Sequence, residues 1–162
     1  MRSPPTRLAA PGDAEVVARL LCDFRDHEGR HWPPDDAMLA GVERLIGRDD
    51  VEYLLGGDPP MGVVQLRYRY GVWWDAEDCH VEDVFVRADA RGTGLGRVLV
   101  STAIDRARER GCRRLELDTA EENVPALGLY RSLGFRSGGD EPGRLAVFMR
   151  RRIDENIPDG WG

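Results

Sequence analysis

The apolar positions of the chain begin as two helices. Val16, Val17, Leu20, Leu21 and Phe24 recur at helical spacing behind Asp13, which is placed to cap them. Met38, Leu39, Val42, Leu45 and Ile46 repeat the pattern behind Asp35. Between the two runs, GRHWPP breaks the helix with a glycine and two prolines and leaves an exposed Trp32 in a loop. Strand patterns follow in VEYLL at 51, MGVVQLRYRY at 61 and CHVEDVFV at 79, punctuated by GGDPP and GVWWDAED, which predicts an antiparallel meander. Leu95, Val98, Leu99, Ala103, Ile104 and Ala107 then mark one face of a helix that stops at Gly111. In the remainder, CRRLELDTA alternates as a strand and NVPALGLYRSLGF reads as a short helix, with Pro125 in its first turn and Gly134 after its last. LAVFMRR reads as a closing strand.

Length and composition narrow what this pattern can be. With 162 residues, 41% of them apolar, the chain is expected to form one domain over residues 1–152, and residues 153–162 form a tail with little to bury. Its 23 basic residues stand against 29 acidic ones, a formal charge of −6 that argues against nucleic acid or an anionic membrane as partner. Every basic residue is arginine, which removes mechanisms built on a Schiff-base or phosphate-loop lysine. Cys22, Cys79 and Cys112 are widely spaced and form no CxxC pair, so neither a disulfide framework nor a thiolate zinc site is expected. No run has the length of a signal sequence core or a membrane span, and a cytoplasmic location is expected.

Candidate chemistry concentrates in VEDVFVRADARGTGLGRVLV, residues 81–100. A dinucleotide fingerprint fails there, because the third glycine position of GxGxxG falls on Arg97; a Walker loop fails for want of lysine. What remains is a strand, the loop RGTGLG and a helix, whose first amides and positive dipole end suit an anion. An ordinary glycine-rich turn is the plainer alternative. The loop also matches the pattern [RQ]xxGx[GA] through Arg91, Gly94 and Gly96, and NVPALGLYRSLGF matches N-x(6)-Y-x-x-x-GF through Asn123, Tyr130, Gly134 and Phe135. With these two motifs in order, residues 7–152 resemble the GNAT superfamily of N-acetyltransferases, and VEDVFV is similar to the strand before the loop in its polyamine-type members.

That resemblance implies an α/β fold: a mixed, mostly antiparallel sheet, splayed between its fourth and fifth strands, with helices on both faces. It implies acetyl-CoA as cosubstrate and no metal. The pyrophosphate would sit on backbone amides of Gly92, Thr93, Gly94, Leu95, Gly96 and Arg97, with the Arg91 and Arg97 side chains adding charge-assisted contacts. A backbone N–H of Val84, Phe85 or Val86 would meet the developing oxyanion. Asn123 would anchor coenzyme A, its alternative being a helix cap, and Tyr130 would protonate the leaving thiolate, its alternative being a core aromatic. Glu82 is the matching base and Asp83 its alternate; a regular strand turns such neighbours to opposite faces unless a bulge intervenes. An exposed edge carboxylate is the other reading of Glu82. A homodimer is the family's usual arrangement.

HEGRH at 27–31 matches the zinc-hydrolase pattern HExxH, but Gly29 and the prolines after Trp32 disfavour the helix that pattern requires. Acceptor recognition is the better use of this segment, with Glu28, His31 and Trp32 at the cleft and a solvated helix end as the alternative. Trp73 and Trp74, beside acidic residues, are further candidates to receive a cationic amine. The expected activity is acetyl transfer to the primary amine of a small molecule such as a polyamine. The alternatives are a protein or peptide amine, and a non-catalytic acyl-CoA sensor.

Overall fold

A computed structural model describes residues 3–138, 147–151 and 153. The chain divides into two compact units, residues 1–118 and 119–162. In the first, β1 (Thr6–Leu8), β2 (Val51–Gly56), β3 (Gly62–Gly71), β4 (Ala76–Val86) and β5 (Arg114–Glu116) form one sheet in sequence order. The pairs from β1 to β4 are antiparallel, and β5 runs parallel to β4. Helices α1 (Ala14–His27), α2 (Asp35–Leu45) and α3 (Leu95–Glu109) complete this unit. The sequence did not predict β1: three residues between prolines are too few to show a period of two.

Alternation along β2 sorts the core. Val51, Tyr53 and Leu55 pack with Val17, Leu20, Leu21 and Val42 of α1 and α2, and with Val63 and Phe85. Leu54 points the other way, into the cluster that α3 builds from Leu95, Leu99, Ala103 and Ala107 over Val64, Leu66, Tyr68, Cys79 and Val81. Two glycines set how closely α3 lies on the sheet. A Cβ at Gly62 would come within 2.8 Å of Leu99 Cδ1 and 3.1 Å of the Phe85 carbonyl, and one at Gly56 within 2.8 Å of Leu95 Cδ1. The N-terminal turn of α3, and the loop before it, are therefore held against the β2–β3 hairpin. Further along α3, Glu52 accepts hydrogen bonds from Tyr68 Oη (2.9 Å) and from Arg106 Nη2 (2.7 Å) and Nε (3.1 Å).

Neither Asp13, expected as a cap, nor Asp35 caps the helix beside it. Asp13 stands before α1, but its carboxylate accepts from Arg7 and from the Ala10 N–H (2.8 Å), serving the preceding 3-10 turn. The Arg7 hydrogen bond, with that of Ala10, pulls the Asp13 carboxyl down to about 2. Asp35 is the first residue of α2 and pairs with Arg25 of α1 at 2.8 Å, tying the two helices across their loop.

The second unit contains α4 (Val124–Ser132), with Pro125 in its first turn and Gly134 at φ +92° after its end, as the turn chemistry predicts. The expected closing strand does not form in residues 147–151: no ladder partner is recorded for them, and Val147, Phe148 and Met149 are exposed, so no face is buried to hold an extended segment. Its residues 145 and 146, and likewise residue 152 and the tail beyond 153, lie outside the described residues.

Candidate active site

The β4–β5 ladder joins only Asp78–His80 to Arg114–Glu116. Beyond His80, among the described residues, β4 has β3 on one edge and no strand on the other, so the sheet splays between its fourth and fifth strands, as the family resemblance implies. Val84, Phe85 and Val86 lie on this unpartnered stretch, paired on their far side with Val64, Val63 and Gly62.

At its mouth stands a β-bulge. Gln65 pairs with Asp83 whereas the next residue, Leu66, pairs with Val81, so Glu82 is an extra residue in β4. Val81 and Val84 both turn towards α3 although three residues apart. Glu82 and Asp83 consequently share the opposite side, the side of α1 and α2. The alternation that would have separated them is broken here, and the two candidate bases stand together. Glu82 is exposed and Asp83 is half-buried. Burial, and then the charge of Glu82, push the Asp83 carboxyl up to about 6, against a smaller downward pull from His80. His80 also lies 3.6 Å from Asp118.

After β4 the chain makes the turn Arg91–Gly94 and enters α3 at Leu95. Gly92 and Gly94 adopt φ of +76° and +86°, which L side chains rarely take, and a Cβ on either would meet nothing within 4 Å. The loop surface is thus open as well as left-handed. Thr93 Oγ1 donates to the Ala90 carbonyl (2.7 Å) and Arg91 Nε to that of Val86 (3.0 Å), bracing the turn from behind. The first amides of α3 have no acceptor within their own helix, so a phosphate resting on this loop meets donors and the positive dipole end. These residues fit a coenzyme A pyrophosphate. A groove of about 330 Å³ runs beside the loop, between Asp23, Asp26 and His27 of α1 and Phe85, Arg87, Asp89 and Arg91.

In the second unit, Tyr130 is buried against Phe135, with ring centroids 5.7 Å apart, and burial raises its phenol above the ordinary value. Asn123 precedes α4 but its side chain caps nothing; Nδ2 donates to Thr119 Oγ1 at 3.4 Å. Glu28, His31 and Trp32 are exposed in the α1–α2 connection. Helix α1 ends at His27, so His27 and His31 do not share a helix as HExxH requires. Trp73 and Trp74 sit at the β3–β4 turn, some six strand residues or about 20 Å from Glu82, and the fold does not bring them to the bulge. Instead Trp74 stacks on Arg113 at 3.6 Å. Sequence reasoning missed Gln65, buried on β3 opposite Asp83; a lone amide inside the apolar run GVVQL was the available signal.

Comparison with known proteins identifies the family. The profile of the acetyltransferase (GNAT) family matches residues 14–135. The streptothricin acetyltransferase of Streptomyces lavendulae is 47% identical over 153 residues, 80% of this chain and 79% of that one. The thialysine N-epsilon-acetyltransferase of Sus scrofa is 30% identical over 146 residues, 84% and 86% of the two chains. Some matches are partial, and one bacterial relative is matched over only 46% of its length. A crystal structure from Arthrobacter sp. FB24, classed among the acetyltransferases, superposes with a TM-score of 0.84 at 29% identity, covering 94% of this chain and 97% of the other. The chain belongs to the acetyltransferase (GNAT) family.

Proposed function

We propose that this acetyltransferase moves the acetyl group of acetyl-CoA to a primary amine of a cationic small molecule, of the kind represented by streptothricin, thialysine or a polyamine. The observation that carries the reading is the bulge at Glu82, which gathers two carboxylates on one face at the mouth of the splay. A protonated alkyl amine, with a pKa of about 10, is attracted there and must lose a proton before it can attack. Asp83 takes that proton. A carboxyl lifted to about 6 is a better acceptor than an ordinary aspartate and is still mostly ionised at neutral pH. Glu82 keeps it lifted and adds attraction for the cation.

The freed lone pair attacks the thioester carbonyl carbon, forming the N–C bond. Negative charge gathers on the carbonyl oxygen, which an N–H of the unpartnered Val84–Val86 edge is suited to receive. The C–S bond then breaks and the electron pair leaves on sulfur. Tyr130, assigned by the motif it occupies, gives this thiolate its phenolic proton and recovers one from the nitrogen. A phenol whose pKa is raised by burial stays protonated at neutral pH and is available as donor. The proton on Asp83 returns to solvent. The Gly92–Arg97 backbone, with Arg91 and Arg97, holds the pyrophosphate and so sets how far the acetyl group reaches along β4.

Thiol release from acetyl-CoA, measured with streptothricin, thialysine and spermidine, tests this reading. Amine-dependent release with an N-acetylated product is expected. Thermal stabilisation by coenzyme A without release in any arm would make the protein a sensor and overturn the proposal.

A further inference from the structure

Three polar side chains lie side by side in the sheet beneath α1 and α2 without a structural task. Tyr53 of β2 is in register with Gln65 of β3, and Gln65 with Asp83 of β4. Residues so paired project from the same face, with Cβ atoms about 5 Å apart. Tyr53 is 2% and Gln65 7% exposed, among neighbours such as Leu55, Val63 and Phe85 that are wholly apolar. Among the described residues, neither the Tyr53 hydroxyl, the Gln65 amide nor the Asp83 carboxyl makes a hydrogen bond. None of these polar atoms is sealed from solvent, so the row opens onto accessible space. The next rows hold Arg67 with His80 and Arg69 with Asp78, and Glu82 stands beside Asp83.

An amide set among apolar side chains, with only solvent as partner, adds nothing to a sheet core that a hydrophobic residue would not supply better. Its presence at this position is explained if a ligand supplies the missing partner. An alkylammonium carries three N–H donors. The row presents three oxygens that can accept them: Tyr53 Oη, Gln65 Oε1 and an Asp83 carboxylate oxygen.

We propose that Tyr53 and Gln65 are acceptor-positioning residues, which hold two N–H groups of the incoming amine while Asp83 removes the third proton. The inference rests on reading this face as the acceptor side of the acetyltransferase. Holding two N–H groups fixes the direction of the lone pair once the third proton is gone, so the row orients the nucleophile as well as binding it. It also selects primary amines, since each alkyl substituent removes one donor.

The test is steady-state kinetics of Gln65→Met and Tyr53→Phe with streptothricin, thialysine and spermidine, alongside melting curves. Gln65→Met is expected to raise the acceptor KM about 10-fold or more, the loss of one hydrogen bond to a charged group, with the acetyl-CoA KM unchanged. Its melting temperature should not fall, because the amide makes no hydrogen bond within the free protein and an apolar chain of similar length replaces it. Tyr53→Phe should raise the acceptor KM in the same way. An unchanged acceptor KM in both variants, or a lowered melting temperature in Gln65→Met, would assign these residues to packing and overturn the inference alone. If the wild-type protein acetylates none of the three amines, the functional reading fails, and this inference with it.

Discussion

Replacing Asp83 with asparagine is expected to make the protein more stable and less active. The effect on stability follows from burial, which with the Glu82 charge pushes the carboxyl up to about 6 in the folded protein, well above the ordinary range of an exposed aspartate. That displacement corresponds to about 3 kcal/mol of penalty on the charged form. The folded state holds this proton more tightly than the unfolded state, so the penalty is absent below pH 3.8, grows as pH rises towards 6, and is complete above it. Asparagine keeps the shape and removes the charge. At pH 7 the variant should therefore melt about 5 to 10 °C higher than the parent, and the difference should shrink to nothing as pH falls to 4. Melting curves at half-unit intervals between pH 4 and 8 read this directly. In the same preparations, thiol release at pH 7 should fall by about 100-fold or more if Asp83 is the proton acceptor. A pH-independent difference in melting temperature, or a variant less stable than the parent at neutral pH, would refute the buried, unpaired carboxylate. Retained activity would refute its role as base.

Glu82→Gln should leave transfer measurable but move the lower inflection of the pH–rate profile below that of the parent, since Glu82 is one of the two causes lifting Asp83; an unmoved inflection would uncouple the pair. Gly94→Glu should abolish the rise in melting temperature that coenzyme A confers, because a carboxylate is placed on an open, left-handed loop position; a retained shift would remove the pyrophosphate from the loop. Tyr130→Phe should lower kcat about 100-fold with little change in coenzyme A affinity, whereas an unchanged kcat with chemistry rate-limiting would leave the ring only its packing on Phe135. Arg106→Leu should cost about 2 to 4 kcal/mol in urea unfolding at pH 7, because it leaves the part-buried Glu52 carboxylate without its bidentate partner; a loss within error would make that pair ornamental.

The elements that sequence patterning recovered are those whose side chains report their own periodicity. Helices α1, α2, α3 and α4 each carry an apolar face, and β2, β3 and β4 are bounded by glycine and proline turns. The motif loop was equally legible, since Gly92 and Gly94 are needed where φ is positive. What the sequence withheld depends on pairing between distant segments. β1 acquires its identity only from β2, and the partners of Asp13 and Asp35 only from Arg7 and Arg25. The bulge is of this kind too: nothing in VEDVF marks Glu82 as an extra residue until β3 is laid beside it. Trp73 and Trp74 show the converse, near Glu82 in the chain but removed from it by the length of β4. Gln65 stood out only as one amide in an apolar run, and its meaning came from Tyr53 and Asp83 on either side.

The central claim is that the carboxylates at the β4 bulge prepare an amine to attack acetyl-CoA. Its most direct measurement is the pH dependence of kcat/KM for N-acetylation of streptothricin, in the parent and in Asp83→Asn. The parent should show an inflection near 6 that is missing from the residual rate of the variant, which then rises with pH only as the amine itself loses its proton. The same inflection in both proteins would place the essential base elsewhere and contradict the account.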